Sequence, residues 1–107
     1  MTGNWRVVAH STMYPIADTI VTGLISQNGN NLSGTMALSG NICAVSAVLT
    51  GTLTGNNLSM DLNENGQHVI LTGTLAANGN SASGTYAAPA GGCTAGDQGT
   101  WTGTRVP

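Results

Sequence analysis

Ile20-Val21-Thr22-Gly23 returns fifty positions later as Ile70-Leu71-Thr72-Gly73. The echo continues with Asn28-Gly29-Asn30 as Asn78-Gly79-Asn80, Ser33-Gly34-Thr35 as Ser83-Gly84-Thr85, and Cys43 as Cys93. Within each copy apolar residues alternate with polar ones, and Asn-Gly pairs break the run at short intervals. Alternation of period two between hairpin signals is the pattern of an antiparallel meander. A repeat of this length is a supersecondary unit that buries its apolar face against its copy. The 107 residues therefore read as a single domain with internal repeats at about 3–54 and 55–105.

Working outward from the repeat, the spacing predicts strands at Asn4–His10, Thr19–Ser26, Leu32–Leu38 and Ala47–Thr54. The second copy predicts Asn57–Leu62, His68–Ala76, Ala82–Ala88 and Gly99–Arg105. Asn28-Gly29, Asn65-Gly66 and Asn78-Gly79 suit turns that require positive φ, and Gly55-Asn56 joins the halves. One alternating register supplies the inward face, with Trp5 and Val7, Val21 and Ile25, Leu32 and Met36, and Leu49 and Leu53. Leu58 and Met60, Leu71 and Leu75, Ala82 and Tyr86, and Trp101 continue it. The opposite register is mostly Thr, Ser and Asn, as a solvated sheet face should be. Glycines recur on the inward face at mid-strand, where they permit sharp coiling and leave room for large neighbours. Eight such strands predict an all-β fold, an eight-stranded antiparallel up-and-down barrel made of two four-strand repeats. A two-sheet β-sandwich is the alternative. Closure into a barrel also removes the unprotected edges that an outer face so poor in charge would otherwise present.

Formal charge rests on Arg6, Arg105, Asp18, Asp61, Glu64 and Asp97 alone, and there is no Lys. Phosphate recognition needs clustered Lys and Arg, so nucleic acid is not an expected partner. No apolar run reaches the ~20 residues of a membrane helix, and membrane insertion is not expected. The two cysteines stand at equivalent repeat positions without Cys-x-x-Cys spacing, which favours a Cys43–Cys93 disulfide and an oxidising compartment. The expected location is thus extracellular or in the cell envelope. With the halves related by a pseudo-twofold along the barrel axis, the bridge would lace one end shut through Ser39–Ser46 and Pro89–Gln98. Its closure of a long loop would contribute about 4 kcal/mol.

The same up-and-down order sorts the remaining polar residues. His10, Asp18, Glu64, His68 and Asp97 are expected at the end with the long loops, and Arg6, Arg105 and both termini at the tight-hairpin end. Loops on a rigid scaffold are where binding residues gather, so the long-loop rim is a candidate site for a cationic or divalent-metal partner. No pair of these residues has metal-ligand spacing such as His-x-His, so no metal site is assigned. Ser11 beside His10 forms no hydrolase motif, for the chain has no Gly-x-Ser-x-Gly elbow. With no convergent catalytic constellation, the chain reads as non-enzymatic and without a cofactor. Trp5, Met36, Met60, Tyr86 and Trp101 face the interior either as core plugs or as the lining of a small hydrophobic ligand's pocket. The expected function is an exported binding or scaffold barrel, monomeric, with a small hydrophobic ligand as its candidate partner. The alternative is a self-associating structural or adhesive module of the cell surface.

Gly3-Asn4-Trp5 at the start of the first strand resembles the Gly-x-Trp opening of the lipocalin and avidin-like (calycin) barrels, in which the Trp closes one end of an eight-stranded calyx. This chain departs from that pattern in being shorter and duplicated, and it lacks the usual Arg over the Trp; Arg105 is the residue placed to take that part. Ser33-Gly34-Thr35, Leu71-Thr72-Gly73-Thr74 and the segment from Gly92-Cys93 to Gly96-Asp97-Gln98-Gly99-Thr100-Trp101 are similar to uncharacterised secreted and lipoprotein β-barrel domains of soil bacteria. That resemblance implies an envelope or extracellular location and no established activity.

Overall fold

The computed structural model describes residues 2–13, 18–40, 45–64, 66–88 and 96–106. Eight strands follow one another: β1 (Gly3–Ser11), β2 (Thr19–Asn28), β3 (Asn31–Ser39), β4 (Ser46–Thr54), β5 (Asn57–Glu64), β6 (Gln67–Leu75), β7 (Ser81–Ala87) and β8 (Gln98–Val106). Each pairs antiparallel with its sequence neighbour, and β8 returns to pair with β1, so the sheet is a closed up-and-down barrel rather than a sandwich. Positive φ falls on Gly29, Gly55, Gly66 and Gly79, the glycines of the expected turns.

The alternation sorts the side chains as expected. Trp5, Val21, Ile25, Leu32, Met36, Leu49, Leu58, Met60, Leu71 and Trp101 are buried, and Ala47 joins them. Ala9, Leu75 and Tyr86 pack against this core from partly exposed positions. Stepping sideways from Gly3 through Ile25, Gly34, Leu49, Leu62 and Val69, and on along the same registers through Ala88 and Asp97, returns to β1 at Met13, ten residues above the start. A stagger of ten over eight strands tilts them by about 40° and leaves an interior just wide enough for side chains. Coiling this tight brings backbones together. Gly73 and Gly84 face one another across β6 and β7, and a Cβ on Gly84 would overlap the Thr72 carbonyl oxygen and lie 2.5 Å from Gly73 Cα. Only glycine fits such an approach.

The duplication does not carry over to the registers. The turn between β2 and β3 has two residues, with Asn28 opposite Asn31, whereas five residues, 76–80, separate β6 from β7. Leu75 pairs with Ala82, and the Ala76 N–H reaches the Ser81 carbonyl at 2.8 Å. Thr22 consequently faces Ala37, while its repeat equivalent Thr72 faces Thr85.

Candidate functional site

Strand ends place polar side chains in the long-loop mouth of the barrel. Successive residues point to opposite faces of a strand, so His10 is exposed and its neighbour Ser11 turns inward, where it is buried. The Ser11 hydroxyl donates to Asp97 Oδ1 at 2.5 Å, and the Tyr86 hydroxyl donates to Asp97 Oδ2 at 2.8 Å. Ser11 Oγ in turn accepts from the Met13 N–H at 3.2 Å. One carboxylate, 4% exposed, thus ties β1 and β7 to the entry of β8. Backbone bonds reinforce the tie: the Thr12 N–H donates to the Gln98 carbonyl at 2.9 Å and the Ala88 N–H to the Asp97 carbonyl at 2.8 Å. Each buried polar side chain among the described residues has a partner, as low-dielectric surroundings require.

Burial raises the Tyr86 pKa above its ordinary value, and the hydrogen bond to Asp97 and that group's negative charge push it further in the same direction. A phenol whose folded pKa lies above its unfolded value stabilises the fold fully below about pH 10 and loses that contribution as pH rises beyond it, because the unfolded chain releases its proton first. Stability measured by urea unfolding is therefore expected to fall with rising pH from about 10 upward. Tyr86→Phe should flatten this fall; an equal fall in the variant would show that Tyr86 is not its source.

The other rim residues separate into pairs. His10 Nδ1 lies 2.7 Å from Asp18 Oδ1, and His68 Nδ1 lies 2.9 Å from Asp61 Oδ2, both well exposed to solvent. Exposed pairs of this kind contribute little to stability. His68 stands on β6 and His10 on β1, and among the described residues no three His, Cys, Asp or Glu side chains come together as a metal-binding group. Glu64 is buried at the end of β5. Cys43 and Cys93 lie outside the described residues. Asp61, the partner of His68, was not among the expected rim residues, because it sits inside the span of β5; its diagonal relation to His68 exists only once Asn63 pairs with His68 and Asp61 with Ile70.

At the opposite mouth Arg105 occupies the inward register of β8 beside Trp5, with its guanidinium carbon 5.7 Å from the indole centroid. This is within reach of a cation–π contact, and it is the stacking expected of Arg105. Arg6, by contrast, lies on the outer face of β1 between Thr22 and Thr104 rather than at the rim.

Between the two mouths, large side chains among the described residues are packed into the interior. Trp5, Ile25 and Met36 are each 1% exposed and Trp101 is 2% exposed. A void of ligand size would leave accessible surface on the side chains around it, so none borders these four. Trp101 reaches from β8 across the two neighbouring strands: its indole N–H points at the carbonyls of Thr72 on β6 (3.2 Å) and Thr85 on β7 (3.1 Å). Tyr86 stands apart from the other interior residues, half-buried and engaged with Asp97 in the long-loop mouth.

No protein-family model matches this chain, and neither does any curated protein sequence.

Proposed function

We propose that this chain is an exported, non-enzymatic β-barrel that serves as a binding or scaffold module, presenting its surface rather than processing a substrate. The observation that carries this reading is the filled, closed barrel: its polar constellation at the long-loop mouth is spent on holding strands together. Asp97 uses both oxygens on Ser11 and Tyr86, and the buried Ser11 hydroxyl faces a carboxylate. The equivalent cysteines and the resemblance to secreted barrels support export, with Cys43 and Cys93 joined within the chain. A small hydrophobic ligand in the barrel would have to displace side chains such as Met36 and Met60, whose flexible thioethers make them the most adaptable of the plugs. The competing reading, a self-associating surface module, draws on the exposed Leu24 and Val48, which flank Thr35 on the outer face of β2 to β4.

Native mass spectrometry of the protein secreted by its own host tests these readings together. The expected species is a monomer with the mass of the chain less two hydrogens. An added small-molecule mass lost on denaturation would show a bound ligand, and its loss in a Met36→Trp variant would locate it in the interior. Two free thiols would overturn the bridge, and a ladder of oligomers growing with concentration would replace the monomeric scaffold by the self-associating module.

A further inference from the structure

The outer face of β6, β7 and β8 carries a second feature, which borders the long-loop mouth at Thr12 and Tyr86. An open groove of about 500 Å³ crosses these strands below the long-loop end, within the ~300–1,000 Å³ range of small-molecule sites. Two neighbouring cross-strand rows form it. In one, Thr72 on β6, Thr85 on β7 and Thr100 on β8 stand directly opposite one another; in the next, Ile70, Ala87 and Gln98 do so. All six are exposed, and none carries a formal charge. Because the strands lie about 4.8 Å apart and residues i and i+2 about 6.8 Å apart, a row of three hydroxyls runs parallel to an apolar step that ends in an amide.

The geometry points to this groove as a binding site for neutral carbohydrate, seated as a short run of pyranose units across the three strands. A threonine hydroxyl and a Gln amide each offer both donor and acceptor capacity, which is what a sugar's hydroxyls demand of a partner. The Ile70–Ala87 step supplies apolar surface for the C–H face of the ring. With no charged residue lining it, the groove has no group to hold a phosphate, a carboxylate or an ammonium ligand. Its open form suits a chain laid along it better than a compact molecule to be engulfed. Rigidity favours binding too: the Tyr86 and Ser11 hydroxyls on Asp97 fix the strands beside the groove before any ligand arrives, so little ordering remains to be done. The two repeats provide an internal contrast. The equivalents Thr22, Thr35 and Thr50 face Ala37, Val48 and Ser33 respectively, and so fall on three different rows. The register change in the second half is what aligns the hydroxyls there.

Titration of the full chain with cellotetraose, laminaritetraose and maltotetraose, followed by amide and methyl NMR shifts, tests the site. Saturable shifts at Thr72, Thr85, Thr100 and Gln98 are expected with at least one of the three. Thr85→Val keeps the shape and strand preference of an exposed position while removing a hydroxyl; it should weaken binding roughly two- to tenfold, the net worth of one hydrogen bond. Thr35→Val, its repeat equivalent, should bind as the unaltered chain does. No saturable shift with any probe overturns the assignment, as does equal weakening by both variants. Shifts at these residues that follow protein concentration without sugar would also overturn it, giving the groove to a second copy of the chain.

Discussion

Trp101→Ala is expected to lower stability by about 3–5 kcal/mol, the range for removing a large buried aromatic. The ring is 2% exposed and stands opposite Gly84, whose missing side chain gives it space. From β8 the indole reaches past β7 to the Thr72 carbonyl on β6, and the same N–H approaches the Thr85 carbonyl. Truncation therefore opens a cavity on the barrel axis and removes a tie across three strands. Urea unfolding should show the loss as a lower midpoint. Trp101→Phe, which retains a ring but has no N–H, should fall between the two. A Trp101→Ala chain within ~1 kcal/mol of the original would mean that the interior collapses around the gap, or that the axis is less filled than the burial of Trp5, Met36 and Trp101 implies.

Gly84→Ala is expected to be at least as costly, about 4 kcal/mol or more, among the exceptional values for a point substitution. A methyl group there overlaps the Thr72 carbonyl and crowds Gly73 Cα, and backbone cannot rotate aside as a side chain can. β6 and β7 must separate, which breaks the ladder that the Trp101 N–H spans. Gly103 gives the comparison within the same barrel: a Cβ there meets the Val7 Cγ2 methyl at 3.3 Å as its nearest neighbour. Gly103→Ala should cost far less, about 1 kcal/mol, since a methyl has room to shift. Thermal unfolding of both variants checks the ranking; equal midpoints would refute the close approach of β6 and β7 as the constraint that selects glycine.

The mouth containing Ser11, Tyr86 and Asp97 was legible only in part. The end at which Asp97 stands was legible from counting strands up and down, because strand direction alternates whatever the registers. Its partners were not: Ser11 is 86 positions away in the chain, and nothing in the sequence near His10 announces that Ser11 faces a carboxylate. Tyr86 read as an interior aromatic from its apolar register, and its hydroxyl acquired a role only when β7 and β8 brought it beside Asp97. The Arg105–Trp5 contact was more accessible, since both residues lie at chain ends that closure of the barrel must join.

Sequence by itself determined the strand count, the turn positions and the face to which each side chain points. Those follow from local rules, period-two alternation and the positive φ that Asn-Gly turns supply, and each acts over a few residues. Tertiary structure decided the registers. A slip of one residue would expose Val21, Ile25, Leu58 and Met60 and is forbidden by the apolar pattern, but a slip of two returns every side chain to its own face. Alternation cannot distinguish the two pairings, which is why nearly identical Asn-Gly-Asn turns carry different hairpins in the two halves. Closure makes the choice, because the stagger summed around eight strands must bring β8 back onto β1 with Trp5 beneath Arg105. The same choice lines up Thr72, Thr85 and Thr100 in one half and disperses their equivalents in the other, so the groove belongs to the closed barrel and not to the repeat that encodes it.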